Sequence, residues 1–289
     1  MANIGATTAF YKVETSLTRA NTEVSKSMER LATGKANANA GDRSSFVAMA
    51  DTFRLDFVGT KAGIKGASVV MGYLETGMRV IDSASSLVAR IEELAVLGAN
   101  DTNTTEDAAS IDAEANALSA ELNRLVKEAT YKGLKIFQTG QTAANQMLVS
   151  LGGRGAEMSF GLVDVRTLTA YTDLITLTAS TGFAVGDLKS APSAGQSNTD
   201  VLTAKLEALQ AKLNTARVQA GSQYAALESA VNYTTDLTAQ YELGYNTVND
   251  VNFSMETAHL AKNQILQQAA TAMLAQANQG QQGLLQLIS

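Results

Sequence analysis

Apolar and small residues recur along this chain at alternating intervals of three and four, the spacing that keeps one face of a helix turned toward a partner. Near the start the run is Val13, Leu17, Ala20, Val24, Ser27 and Leu31, and Gly34 interrupts it. A second run, Val80, Ala84, Leu87, Ile91, Leu94 and Gly98, stops at the polar stretch 100–107. A third follows with Ile111, Ala115, Leu118, Leu122, Leu125 and Ala129. The first half is therefore predicted to hold three helical segments. The second half carries Leu202, Leu206, Leu209, Leu213, Ala216 and Ala220, then, after one shift of phase, Tyr224, Leu227, Val231, Thr234, Thr238 and Tyr241. Such a shift unwinds a coiled coil locally without ending the helix. A last run, Leu266, Ala270, Met273, Ala277, Gly280, Leu284 and Leu287, predicts a helix at the C-terminal end.

Between 137 and 192 the period changes from three-four to two. Met147, Val149 and Leu151 alternate before Gly152-Gly153-Arg154-Gly155, and Met158, Phe160 and Leu162 alternate after it, which predicts a β-hairpin around a glycine-rich turn. The segment 171–180 is expected to add a further strand. A long helical stretch out, a compact turnaround and a long helical stretch back bring the two chain ends together. The expected fold is thus mainly α: an elongated helical rod with paired N- and C-terminal coiled-coil helices and a small β-hairpin-containing insertion.

Composition decides what kind of packing these helices can make. Hydrophobic residues are 45% of the 289, but aromatics are only 6% and Trp is absent, so the seams consist largely of small residues. The single proline, Pro192, leaves both halves free to run as uninterrupted helices. A terminal helix with Ala, Ser and Gly at seam positions buries too little apolar surface to offset the entropy of ordering it. The ends are accordingly expected to be mobile in the monomer and to order when neighbouring subunits supply the missing faces. On this reading Val13, Leu17, Val24, Leu31, Leu266, Met273, Leu284 and Leu287 form an inter-subunit coiled-coil seam. Gln264, Gln267, Gln268, Gln276, Gln279, Gln281, Gln282 and Gln286 would add amides that hydrogen-bond across subunits.

Charge and motif content narrow the function further. The net charge is −6 with Lys and Arg scattered, so no phosphate-tracking stripe exists and nucleic acid is not an expected partner. No stretch has the apolar length of a membrane span, and residues 5–14 lack a signal peptide's basic start and apolar middle, so neither a membrane partner nor a cleaved secretory signal is expected. Zero Cys excludes disulfides, thiolate metal sites and a cysteine nucleophile. The one histidine, His259, follows Glu256 by three residues, the spacing of a di-iron carboxylate site, but the further carboxylates and second Glu-x-x-His pair such a site needs are missing from the sequence. Gly152, Gly153 and Gly155 are not followed by a helix or by Lys-Ser/Thr, and read as a turn and not a phosphate cradle. No cofactor and no enzymatic activity are expected.

Three stretches are specific enough to carry a resemblance. They are Met28-Glu29-Arg30-Leu31-Ala32-Thr33-Gly34 with Asn37, Ala40, Asp42, Ala48 and Ala50; Arg90-Ile91-Glu92-Glu93-Leu94-Ala95-Val96 with Ala99-Asn100 and Thr102-Asn103; and the ungapped run from Lys262 to Gln279, Lys-Asn-Gln-Ile-Leu-Gln-Gln-Ala-Ala-Thr-Ala-Met-Leu-Ala-Gln-Ala-Asn-Gln. Together they resemble bacterial flagellin over residues 1–165 and 198–289. The resemblance implies an extracellular subunit, exported unfolded through the flagellar export channel without a cleaved signal, that polymerises beneath a cap into the filament used for swimming. Its nearest alternative is a hook-filament junction protein, which shares related ends. Residues 1–44 and 246–289 would form the terminal coiled coil lining the filament channel. Residues 45–136 and 192–245 would form the surrounding helical tube, and 137–191 a small β-rich insertion without large outer domains. The hairpin would take part in switching between supercoiled filament states. Implied partners are further copies of the chain, an export chaperone at the C-terminal helices, the filament cap and the hook-filament junction proteins. Arg90, Leu94 and Glu114 match positions of a protofilament-contact face that a vertebrate Toll-like receptor binds in many flagellins, although Ala89 replaces a commoner Gln. The stretch 246–253, Asn-Thr-Val-Asn-Asp-Val-Asn-Phe, departs from the charged run usual in the family, so no specific salt bridge is expected at that junction.

Overall fold

The computed structural model describes residues 8–39, 41–100, 102–137, 147–152, 155–169, 171–172, 174–175 and 202–288, with the side chains of 8–10, 281 and 284–288 outside that description. Five long α-helices run through the described residues: α1 (Thr8–Thr33), α2 (Ser44–Gly98), α3 (Thr105–Glu128), α4 (Leu202–Asn249) and α5 (Phe253–Ile288). Two antiparallel hairpins lie between α3 and α4, β1 (Thr130–Tyr131) with β2 (Leu134–Lys135), and β3 (Met147–Ser150) with β4 (Glu157–Phe160). The chain is mainly α, as the three-four spacing predicts. It divides into two compact units, residues 1–57 with 238–289 and residues 58–237, whose limits fall inside α2 and α4.

The helix ends follow local chemistry. Gly34 stops α1 by taking φ +70, a left-handed conformation that costs glycine nothing. The polar stretch after α2 contains a reciprocal cap: Asp107 N donates to the Thr104 hydroxyl at 3.2 Å, and Thr104 N donates to Asp107 Oδ2 at 3.1 Å, which satisfies two otherwise orphaned donors at the start of α3.

Residues 58–237 contain one continuous hydrophobic core. Ile81, Ala84, Val88, Ile91 and Leu94 of α2 meet Ala115, Leu122 and Val126 of α3 and Leu202, Leu206, Leu209, Leu213, Ala216, Ala220 and Leu227 of α4 in it. All six positions of the first α4 run are buried as the spacing predicts. On α2 and α3 the predicted faces are rotated slightly: Val80, Leu87, Leu118 and Leu125 sit at the margin, and Ile81, Val88, Ser119 and Val126 take the centre.

The predicted hairpin is present in register Met147↔Phe160 to Ser150↔Glu157, with Val149 and Phe160 turned into the core. It lies tightly on α2. A Cβ on Gly63 would overlap the Leu151 carbonyl group, and one on Gly152, at φ +131, would stand 2.8 Å from Thr60 Cα. Chain returning from β4 is held by α4: Gly161 N donates to Gln223 Oε1 at 3.1 Å, Gln223 Nε2 donates back to Gly161 O at 3.1 Å, and Val163 N donates to Gln219 Oε1 at 3.0 Å. These two glutamines, one helical turn apart, satisfy backbone groups beyond the end of the β3–β4 pairing. Tyr73 of α2 links both hairpins, meeting Tyr131 and Phe160 edge to face at 6.3 and 5.7 Å and donating its hydroxyl to Ile136 O at 2.9 Å.

Two expectations need correction here. Tyr171, Thr172, Leu174 and Ile175 are helical and do not form a strand; Tyr171 N and Thr172 N both donate to Leu168 O, a helical closure that an alternating Thr-rich pattern does not reveal. The rest of 171–180, like most of the expected insertion 137–191, lies outside the described residues. The β1–β2 hairpin has no counterpart in the sequence reading. Its signal was the Lys132-Gly133 pair, which takes φ 51 and 82, the two positive angles of a tight two-residue turn.

Residues 1–57 and 238–289 are built differently. α1 and α5 lie antiparallel, since Asn21 accepts from Gln267 Nε2 at 2.6 Å while Arg30 stands 3.8 Å from Glu256. The links α1–α2 and α4–α5 pair through their backbones: Ala36 N donates to Asn249 O at 2.7 Å, Val251 N to Gly34 O at 3.1 Å, and Asn37 Nδ2 to Val248 O at 3.3 Å. In the same unit the Phe53 ring of α2 stands 6.4 Å from that of Tyr241 of α4. The departure from the family pattern at 246–253 thus coincides with an antiparallel bridge, and Arg30–Glu256 is an ion pair beside it that the sequence did not lead one to expect.

Candidate assembly surfaces

The covered face of α1 is the predicted one. Val13, Leu17, Val24 and Leu31 are partly buried, and Ala20 and Ser27 are buried, all at three-four spacing. On α5 the covered face is Glu256, Leu260, Asn263, Gln267, Ala270, Leu274 and Ala277. The seam expected between subunits coincides only in part with this covered face. Ala270 and Ala277 belong to it, whereas Leu266 at 48% exposure and Met273 at 51% point away from α1. The physical reason lies in the competing phases of an all-amphipathic tail. Two three-four series run along α5, and the pair with α1 selects the one carrying Gln267, whose amide donates to Asn21 there, over the one carrying more carbon. The side chains of Leu284 and Leu287 lie outside the described residues. Among the amides expected to reach other subunits, Gln267 is engaged within the chain, while Gln264, Gln268, Gln276, Gln279 and Gln282 are exposed.

The buried apolar residues described in residues 1–57 and 238–289 are three alanines, Ala20, Ala50 and Ala270, joined by buried Ser27, Asp56, Asn249 and Glu256. Large apolar side chains instead face outward there: Tyr11, Met28, Phe46, Met49, Phe253, Met255, Ile265, Leu266 and Met273. Single exposed apolar residues are ordinary; here they recur along α1 and α5, whose shared inner face leaves its valines and leucines only partly covered.

Arg90 makes a charged cluster on residues 58–237. Its Nη1 donates to Glu93 Oε2 at 2.6 Å, and its Nη2 and Nε donate to Glu114 Oε1 at 2.8 and 3.1 Å. The hydrogen bonds that Arg90 donates to Glu114, and then to Glu93, raise its pKa above the ordinary value, so the side chain is a fixed cation that ties α2 to α3 at the surface. Leu94 does not share this face. It is 2% exposed, because positions 91, 94 and 95 turn into the core while 90 and 93 turn out. A second link across helices is Arg217 Nη2 to Asp82 Oδ1 at 2.7 Å.

Chemistry of other kinds finds no assembled groups. Glu256 faces Arg30 of α1 and His259 is exposed, so the Glu-x-x-His spacing does not converge. No group of three His, Asp or Glu that could hold a metal occurs among the described residues. No helix among them is long and apolar enough to cross a membrane.

The chain is similar to several known proteins. The crystal structure of Bacillus cereus flagellin aligns over 59% of this chain and 88% of its own, at 24% identity and a TM-score of 0.46. The flagellar filament 33 kDa core protein of Treponema phagedenis is 29% identical over 93% of both chains, and a flagellin of Listeria innocua is 25% identical over 96% of both. The family model of the bacterial flagellin N-terminal helical region matches residues 5–142, and that of the bacterial flagellin C-terminal helical region matches residues 203–288. The two family models, together spanning most of the chain, and relatives that match 93% or more of it agree: the chain belongs to the bacterial flagellin family and is a structural subunit of the flagellar filament.

Proposed function

We propose that the chain divides its work between its two units, residues 1–57 with 238–289 making the subunit contacts that order on polymerisation, and residues 58–237 arriving as the pre-formed block that those contacts assemble. One observation supports this above others: the α1–α5 pair fully buries, among its described residues, only Ala20, Ser27, Glu256 and Ala270, leaves its inner valines and leucines partly covered, and turns Leu266, Met273, Ile265 and Met28 outward. Such a pair gains little from folding alone, at roughly 25 cal/mol per Å² of apolar surface removed from water, and gains more when neighbours cover it. Residues 1–44 and 246–289 are assigned to the channel-lining coiled coil. Residues 45–136 with 192–245 are assigned to the helical tube, and 137–191 to a small insertion.

The same reading makes the chain a non-enzymatic, extracellular protein, exported without a cleaved signal and met by a chaperone on its C-terminal helices, a filament cap and hook-filament junction proteins. Arg90 and Glu114 supply an exposed charged face that suits a contact between protofilaments or a Toll-like receptor, with Leu94 in the core of the same helix. Purified monomer that evokes no receptor signalling removes the receptor from this list.

Regrowth tests the central claim. Protein dissociated by heat or acid and returned to neutral pH with short filament seeds is expected to extend those seeds into long filaments under the electron microscope. Persistent monomer would sink the filament reading and favour a junction protein present in few copies. Removing residues 1–30 or 260–289 is expected to abolish extension while residues 58–237 keep their cooperative unfolding. Truncated chains that still build normal filaments would end the assignment of contacts to the end helices.

A further inference from the structure

The methionines of this chain divide between the units without exception among the eight described. Met71, Met78, Met147 and Met158, in residues 58–237, are partly buried against the hydrophobic core. Met28, Met49, Met255 and Met273, in residues 1–57 and 238–289, are all exposed, at 57%, 48%, 59% and 51%. They are spread over α1, α2 and α5 and stand among the other outward apolar residues, Phe46 before Met49, Phe253 before Met255, and Ile265 and Leu266 before Met273.

A thioether is flexible, polarisable and apolar, which suits a surface that must repack against several neighbours. It is also the side chain most easily converted from apolar to polar without breaking the backbone. Hydrogen peroxide or a related two-electron oxidant reacts as follows. The sulfur lone pair attacks one peroxide oxygen, an S–O bond forms as the O–O bond breaks, and the departing hydroxide takes the remaining proton to leave as water. Sulfur is oxidised to the sulfoxide and the peroxide is reduced. The product carries a strong hydrogen-bond acceptor where the thioether carried none, and burying it without a donor is unfavourable.

We infer that Met28, Met49, Met255 and Met273 are a modification site for two-electron oxidants, reactive in the free chain and covered after assembly, whose conversion to sulfoxide stops the chain from adding to a filament. The inference rests on the proposal that residues 1–57 and 238–289 make the subunit contacts. It adds that competence for assembly is lost by oxidation, and regained by enzymatic reduction of the sulfoxide, while the core of residues 58–237 stays intact. No other side chain of this protein can serve as such a switch in place of methionine by forming disulfides, because the chain has no cysteine.

The test uses full-length protein and hydrogen peroxide. In free monomer, mass mapping is expected to find sulfoxide at the four exposed methionines at least about fivefold faster than at Met71, Met78, Met147 and Met158, since susceptibility follows exposure. Seed extension by that monomer is expected to fall by about tenfold or more, and to recover after treatment with methionine sulfoxide reductases and a dithiol, which is oxidised to its disulfide as the sulfoxide oxygen leaves as water. In assembled filaments the same four are expected to resist oxidation. The variant carrying M28L, M49L, M255L and M273L is expected to extend seeds at a rate that prior peroxide does not change, whatever that rate is relative to the parent chain. If that variant assembles poorly, the four single leucine variants compared before and after peroxide decide the question, each being expected to lose less activity than the parent chain. Normal extension by monomer already oxidised at all four positions overturns the inference, as does equal oxidation in monomer and filament, or equal peroxide sensitivity of the leucine variants. Untreated parent protein that fails to extend seeds overturns the subunit-contact reading itself, a result separable from all of these.

Discussion

The two units spend similar helix on opposite packing. In residues 58–237, leucine, isoleucine and valine from three helices and two hairpins are sealed into one core, and the charged links Arg90–Glu114 and Arg217–Asp82 lie outside it. In residues 1–57 and 238–289 the buried apolar side chains described are alanines, and the specific links are polar: Asn21 with Gln267, Arg30 with Glu256, and backbone pairing of 34–36 with 249–251. The lesson is that helix length says little about stability. On the proposed division of work, what separates a unit that folds on its own from one that neighbours complete is which residues the inner face carries.

The comparison breaks most readily at the two inner faces. Ile91→Ala in the core of residues 58–237 is expected to cost about 2–5 kcal/mol of stability in denaturant unfolding of the free chain. Leu274→Ala, on the partly covered face of α5, is expected to cost about 1 kcal/mol or less in the same measurement, yet to slow seed extension visibly. Equal losses at the two sites would erase the distinction between the units.

Next in size is the seat of the hairpin. Gly63→Ala places a methyl into the Leu151 backbone, and is expected to cost about 1–3 kcal/mol, since backbone cannot yield as a flexible side chain does. Faster amide exchange in β3 and β4 with α1 and α5 unchanged is the expected signature. Unchanged exchange in the strands would mean that close approach to α2 does not hold the hairpin.

Alkaline pH sharpens the contrast through two tyrosines of the core. Burial pushes the hydroxyls of Tyr73 and Tyr171 from 10.0 up to about 12. The folded value lies above the unfolded one, so the stabilisation is whole below pH 10 and is lost as pH rises toward 12. Thermal unfolding of residues 58–237 followed across that window is expected to move downward. Tyr73→Phe is expected to reduce the slope while costing about 1 kcal/mol at neutral pH through the lost hydrogen bond to Ile136 O. A slope that the substitution leaves untouched would assign the alkaline loss elsewhere.

The smallest effect concerns the start of α3. Hydrogen bonds from the Thr104 hydroxyl, and then from the Thr104 N–H, hold the Asp107 carboxyl below its ordinary range. A depressed value means the cap is intact above the ordinary Asp range and fails as pH falls through the folded value. Thr104→Ala is expected to speed exchange of the first α3 amides by roughly fivefold at neutral pH and to remove its acid dependence.

Much of this was legible in the chain itself. The alternation of three and four located all the runs on helices, Gly34 marked the end of α1, and the period-two runs around Gly152 gave the larger hairpin with its inward residues. The inner faces of α1 and of the first half of α4 were readable because one series there is clearly more apolar than its rivals. On α5 two series compete, and the choice of Leu260, Asn263, Gln267, Ala270 and Leu274 over Leu266 and Met273 depends on what α1 presents to it. Leu94 shows the same limit on a smaller scale, since its neighbours in sequence, Arg90 and Glu93, are exposed and it is not.

The sequence by itself determined the helical class, the order of the five long helices and the larger hairpin, the family, and the abundance of small residues in the end seams, because these are carried by residue type, motif and local spacing. Only the tertiary structure decided which face of α5 meets α1, that Gln219 and Gln223 carry the chain beyond β4, and that the exposed methionines described gather in one unit and the covered ones in the other. Those outcomes require residues far apart in the chain to meet, and distance along the sequence holds no record of which faces do.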